Sequence, residues 1–199
     1  VTMQLTLLAS LLAFFASFMI GFGRLSKYRA VRGVSSIYTE VFRGTSLLVQ
    51  LFWAYFVLPH FGVDLSPMQA GVIVLGLNYG AYGSEIVRST ILSIPKTQTE
   101  AGIALNMTPN QILFRVVLPQ AFLVMLPPFG NLLIELLKGT ALASTITLSD
   151  LLFQGTMLRV TTMRSVEIFS MILIMYFMIA YPLTLLVCRL EKKMSVGRA

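Results

Sequence analysis

Charge is what this sequence has least of. Only 12% of its 199 residues are Asp, Glu, Lys or Arg, about half the usual share of about 25% in a soluble domain. Histidine and cysteine are close to absent: His60 is the single histidine and Cys188 the single cysteine. One cysteine permits no internal disulfide and no Cys-based metal site. One His and one Cys so far apart offer no nucleophile with its base, which argues against an intramembrane hydrolase. The run G-x-x-x-x-G-K-[ST] does not occur, so the chain has no P-loop to cradle nucleotide phosphates. There is no internal repeat and no low-complexity tract. No charge precedes Arg24, so the first apolar run lacks the basic lead of a cleavable signal peptide.

What is there is apolar. The chain is 56% hydrophobic with a mean hydropathy of +0.82. About 20 residues of helix, at roughly 1.5 Å each, cover a hydrocarbon core of about 30 Å. Runs of that kind are expected at about 3–23, 45–63, 67–86, 116–137 and 167–188. The fold class expected is therefore an all-α integral membrane protein, one domain over 1–199 with five transmembrane helices. His60 beside Pro59 is expected at one interface and Cys188 at the other.

The charges that remain are basic in excess, +7 net, and they gather between the apolar runs. Arg24, Lys27, Arg29, Arg32 and Arg43 follow the first run. Arg88, Lys96 and Arg115 follow the third, and Arg189, Lys192, Lys193 and Arg198 follow the fifth. Only Lys138, Arg159 and Arg164 fall on the other side. The positive-inside rule then places the N-terminus outside and the C-terminus in the cytoplasm. Such clustering does not suit a nucleic-acid surface.

One polar-flanked stretch stands between the apolar runs, at 95–119. It reads as a cytoplasmic pair of short helices. Thr97 and Glu100 have the spacing of a capping box, and so do Thr108 and Gln111, with Pro109 at the first helical position. Asn106 tolerates the left-handed conformation that ends many helices, and Pro119 is expected to end or kink the second helix. Ile103, Leu105, Ile112, Leu113 and Val116 lie along the pair, and apolar residues on a water-facing loop want a groove on a partner. A helix-turn-helix for DNA is disfavoured by the flanking spans and by only two basic residues, Lys96 and Arg115.

Ionisable residues within spans mark pathways more often than packing. Glu135 and Lys138 share a helical face past Pro127-Pro128, either as a mutually neutralising pair or as path-lining groups. Asn78 and Tyr79 are candidates to face the same path. Glu85 and Arg88 form an expected ion pair, with a possible role at an inner gate. Asp150 is expected to begin a short external helix. No metal cluster is expected.

Four segments resemble the permease subunits of the polar amino-acid ABC importer family. Glu100-Ala101-Gly102, Asn106, Val116 and Leu118-Pro119 resemble the EAA motif, in which Glu-Ala-Ala is followed at fixed spacing by Gly, an aliphatic residue and Leu-Pro. Here Gly102 replaces the second Ala and Asn106 replaces the Gly. The run 42–50, FRGTSLLVQ, is similar to that family's RGTP-L-VQ segment, with Ser46 in place of Pro. Residues 82–88, YGSEIVR, are similar to its Y-AEI-R segment, and 137–142, LKGTAL, to its LK-TSL segment. The resemblance implies a bacterial inner-membrane permease with an ATPase-coupling loop at 95–119. It also implies a cytoplasmic ABC ATPase dimer, a second permease, identical or homologous, and an external solute-binding protein. The substrate implied is a polar amino acid or related zwitterion. No cofactor is implied on the chain itself, ATP and Mg being used by the partner. The rival function is an ATP-independent channel or carrier for small polar solutes, which would have no use for a capped cytoplasmic helix pair.

Overall fold

A computed structural model describes residues 1–195, with side chains placed through residue 189. The side chains of Lys192 and Lys193, and the whole of Arg198, lie outside the described residues. Nine α-helices make up most of the described chain: α1 (Thr2–Arg24), α2 (Arg29–Gly44), α3 (Leu47–Phe52), α4 (Pro67–Ser93), α5 (Lys96–Ala104), α6 (Pro109–Ile112), α7 (Leu118–Gly139), α8 (Leu151–Thr162) and α9 (Ser165–Ser195).

The core is the contact of α1 with α4. Thr2, Leu5, Thr6, Ala9, Ala13, Ser17 and Gly21 recur at helical spacing along one face of α1 and are buried. Gly71, Gly76, Gly80 and Gly83 of α4 lie against Leu5, Leu12, Ala16 and Ser17 in turn, so the two helices run parallel. Lipid supplies no hydrophobic drive for helix pairing, so close backbone approach through small residues takes its place. Ser17 Oγ donates to Ala13 O of its own helix at 2.6 Å and also reaches Gly80 O at 3.3 Å. The opposite face of α1, with Leu7, Leu11, Phe15 and Met19, is exposed.

The stretches expected as spans coincide in sequence with α1, the α3 part of a bent α2–α3 pair, α4, α7 and α9. Three helical stretches are long and apolar enough to cross a membrane by composition alone: Thr2–Arg24, Pro109–Ile146 and Ser165–Arg189. The bent pair Arg29–Gly44 and Leu47–Phe61, angled at 103°, supplies a fourth. The helix α4 is long enough at 27 residues. Its Asn78 and Glu85 meet polar partners on α2, α3 and α1, so this central helix need not be apolar throughout.

The second span departs from expectation. The helical turns from Leu47 to Phe61 are six, five and four residues long, together about 22 Å, short of a bilayer core of about 30 Å. The missing part is α2, within a segment expected to be a cytoplasmic loop. It starts beside the Arg24 end of α1 and climbs antiparallel to α4. Ser35 lies against Gly23, Thr39 Oγ1 is 3.3 Å from Ser84 Oγ, and Tyr38 donates to Leu77 O at 2.7 Å. Its buried residues are Ser35 and Thr39, so no apolar run announces it. The break at Thr45-Ser46 leaves the Phe42 carbonyl free. Asn78 Nδ2 and Gln50 Nε2 both donate to that oxygen, each at 3.0 Å.

Proline is absorbed the same way twice. A π turn covers Trp53–Val57 before Leu58-Pro59, and another covers Leu113–Val117 before Leu118-Pro119. In each, the leucine N–H reaches back five residues, to Trp53 O and Leu113 O. The wider turn makes room immediately before a residue that cannot donate and whose ring crowds the preceding turn. Pro119 therefore does not end the helix, and α7 also runs unbroken through Pro127 and Pro128. There the carbonyls of Leu123 and Val124, four residues back, lose their helical donors.

Past α7 the chain stays largely helical. A 3₁₀ segment spans Thr140–Ile146, and Asp150 caps α8 by accepting from Phe153 N at 2.8 Å. Burial raises the Asp150 pKa, opposed by its hydrogen bonds. Tyr176 of α9 donates to its other oxygen at 3.4 Å, and Ile172 seats over Gly155. These contacts tie α9 to the bundle, while most of its length stays exposed.

Candidate functional site

Two places concentrate the polar and water-facing chemistry: the turn at 95–119 and a cleft between α2, α4 and α7.

The turn is built by local backbone chemistry. Helix α5 begins two residues earlier than the Thr97 box would require: Pro95 stands at its N-cap and no side chain caps it. Proline fixes φ near −65° and has no N–H to satisfy, so the Ile94-Pro95 bend serves as the start in place of a hydroxyl. The second box forms as spaced. Thr108 N–H donates to Gln111 Oε1 at 2.9 Å, and Gln111 N–H donates to Thr108 Oγ1 at 3.4 Å, with Pro109 at the first position of α6. Between the helices Asn106 takes φ 59°. Met107 N–H donates to Gly102 O and Asn106 N–H to Ile103 O, at 3.0 and 2.9 Å. This is the Schellman pattern, which satisfies carbonyls that the helix end leaves open.

The side chains divide into two faces. Gly102 is buried against Ile112, whose Cγ1 lies 2.7 Å from where a Cβ would stand. Gly in place of the second Ala of the motif thus matches a larger residue opposite it. Glu100, Ala101 and Asn106 are exposed. So are Ile103 (63%), Leu105 (76%) and Phe114 (59%), a group of large apolar side chains on a polar-flanked turn. Val116 and Leu118 are half-buried and Pro119 is exposed. Under the pair lies a hollow of about 370 Å³ lined by residues including Ile91, Ile94, Ile112 and Val117. The turn is therefore joined to α4 and α7 at its two ends, with a hollow between it and them.

The cleft has a volume of about 330 Å³ and is lined by Arg43, Tyr82, Glu85, Asn131, Glu135 and neighbouring residues. Glu85 is its electrostatic centre. Arg88 donates to Glu85 Oε1 at 2.9 Å, Arg24 of α1 donates to Oε2, and Arg43 of α2 stands 3.9 Å from Oε2. The expected Glu85–Arg88 pair is thus part of a cluster drawn from three helices. Arg43 also lies over the Tyr82 ring, 5.3 Å from its centre, within cation–π range. Pro128 forms part of the wall.

The other candidates fall differently. Glu135 lines the cleft, but no ion pair joins it to Lys138; among the described residues every ion pair converges on Glu85. Lys138 sits in the last turn of α7, where its charge suits the helix dipole. Tyr79 donates to Glu135 O at 3.0 Å, close to the cleft but not lining it. Asn78 is buried, donates to Phe42 O and Gln50 Oε1, and so braces the α2 break; it does not line the cleft. Sequence reasoning missed Arg43, Arg24 and Asn131. For Arg43 a signal existed: Val31, Val34, Tyr38 and Val41 recur at helical spacing, which would have carried α2 up to it. No group of three or more metal-binding side chains occurs among the described residues.

The bundle thus carries an exposed apolar turn at one end and a charged cleft between its helices, and its likeness to known proteins says what class of protein this is. Residues 9–196 match the family described as the binding-protein-dependent transport system inner membrane component. The chain is 47% identical, over its whole length and 86% of the relative, to the probable amino-acid ABC transporter permease protein y4tF of Sinorhizobium fredii. It is also 47% identical to the L-cystine transport system permease protein TcyB of Bacillus subtilis, over 75% of this chain and 64% of the relative. A crystal structure of an amino acid ABC transporter with histidines superposes with a TM-score of 0.92 at 34% identity, covering 96% of this chain and 90% of that one. The chain belongs to this family of inner-membrane components. It is a multi-pass permease subunit of an ABC importer, with no catalytic role of its own; in such systems a separate subunit hydrolyses ATP and a binding protein delivers the solute.

Proposed function

We propose that this permease carries polar amino acids or related zwitterions inward, and that 95–119 is the element through which an ATPase drives it. The observation that supports the coupling role most directly is the exposure of Ile103, Leu105 and Phe114 around a turn closed by the Schellman end of α5 and the capping box of α6. Such a turn is rigid enough to transmit force and apolar enough to seat in a groove. Glu100 and Ala101 stand on the open face. Movement of the turn passes into α4 and α7, which flank it, and these two helices also carry Tyr82, Glu85, Asn131 and Glu135 of the cleft. The cleft lines the translocation path in this reading, and the Glu85 cluster stands at its inner end as the gate. The functional unit is two permeases, identical or homologous, on an ATPase dimer, with the binding protein on the outer face. The N-terminus is outside and the C-terminus is cytoplasmic. The relatives named for amino-acid and cystine transport support the substrate class.

Glu100→Lys tests the coupling assignment. Losing one docking contact worth roughly 1.4 kcal/mol lowers coupling about tenfold. In proteoliposomes of the assembled complex, uptake per ATP hydrolysed should fall by about that factor while hydrolysis continues. Full coupled uptake with the complex intact would show that the turn does not transmit ATPase motion.

A further inference from the structure

Glu85 has more cations than it can use. Its two oxygens are taken by Arg88, at 2.9 Å, and by Arg24. Arg43, the third, stands 3.9 Å away, outside hydrogen-bonding distance. Its side chain is 42% exposed, and its guanidinium lies over the Tyr82 ring. A guanidinium held by a ring face and by a carboxylate already satisfied keeps its planar fork of donors free. On the α7 side of the same cleft, Glu135 is exposed and has no ion-pair partner among the described residues. The cleft thus holds one cation and one anion in surplus, carried by different helices.

We propose that Arg43 receives the carboxylate of the transported amino acid and that Glu135 faces its ammonium group. Arg43 is then the residue that makes the permease itself, apart from any binding protein, discriminate in favour of a free carboxylate. The bidentate match between guanidinium and carboxylate supplies the selectivity, and Tyr82 holds the fork in plane. Lysine, a point charge, cannot reproduce it. The proposal rests on the reading of this cleft as the path.

The test measures binding to the purified complex of permease and ATPase, without binding protein. The probes are the standard L-amino acids and L-cystine, each against its carboxamide, which keeps the ammonium and loses the acid. Wild type should favour the best-bound acid over its amide by about tenfold, near 1.4 kcal/mol. Arg43→Gln should erase that ratio while amide binding persists, and Arg43→Lys should give an intermediate ratio. Should Arg43→Gln not assemble, Arg43→Lys reads the same ratio while keeping the charge beside Glu85, and an unchanged ratio there overturns the proposal. It is equally overturned if Arg43→Gln keeps the preference, or lowers acid and amide alike as a structural lesion would. Glu135→Gln and Asn131→Ala separate the two levels of the argument. If they weaken binding and Arg43→Gln does not, the path reading survives and the carboxylate assignment falls. If all three bind as wild type does, or wild type binds none of the probes, the path reading falls with it.

Discussion

Asn106 shows how much one residue can be asked to do. A helix must stop, reverse and restart within four residues, and the stop needs a left-handed φ. Asn adopts it at small cost because its short amide compensates locally, whereas a β-branched residue meets its own backbone. Asn106→Val should cost about 1–2 kcal/mol and loosen the Schellman turn, and Asn106→Gly should be neutral or better. Hydrogen exchange of the Asn106 and Met107 amides in the solubilised complex reads this directly. Faster exchange in Asn106→Gly than in Asn106→Val would contradict the account. This turn was legible in the sequence because its chemistry is local: Thr108, Pro109 and Gln111 cap within one turn, and Asn106 needs only its own φ. The Arg43 site was not, because its partner Glu85 lies 42 positions along the chain and on another helix.

At the scale of helices, what could be read depended on what each buries. The helices α1, α7 and α9 turn leucine, phenylalanine and methionine outward, so their apolar runs gave them away. The helix α2 buries Ser35 and Thr39 and carries arginines near both ends, so by composition it looks like a loop. Its Val31, Val34 and Val41 stripe is the trace that periodicity alone could have followed. The α1–α4 contact was illegible for a related reason: glycines at 71, 76, 80 and 83 lower apparent apolarity while they enable the closest packing. Gly80 is the sharpest case. A Cβ there would stand 2.7 Å from Ala16 Cβ, and neither atom can rotate away. Gly80→Ala should destabilise the bundle by about 1–3 kcal/mol through overpacking. Adding Ala16→Gly should restore most of the loss, since it removes the other half of the clash. Thermal unfolding of the detergent-solubilised complex measures both, and a double variant no more stable than Gly80→Ala would place the strain elsewhere.

For the whole molecule, orientation follows from putting these helices in order. The parallel course of α1 and α4 requires the chain to return between them, and α2 with α3 supplies the return. Residues 62–66, just before α4, must then lie on the same side as the start of α1. In the proposed topology the α5–α6 turn lies on the other, with the C-terminal end of α9. With Arg43 in the cleft, Arg24, Lys27, Arg29 and Arg32 still cluster at the end of α1, which supports the proposed orientation. A single exposed cysteine, Cys188, makes the arrangement simple to test. In a Cys188→Ser background, Val63→Cys should react with a membrane-impermeant maleimide added to intact spheroplasts. Asn110→Cys should react only after permeabilisation. The reverse pattern would put the coupling turn outside the cell, beyond the reach of any cytoplasmic ATPase. Labelling of both sites from one side would mean that α4 does not cross, and that the charged cleft beside it is not part of a path through the membrane.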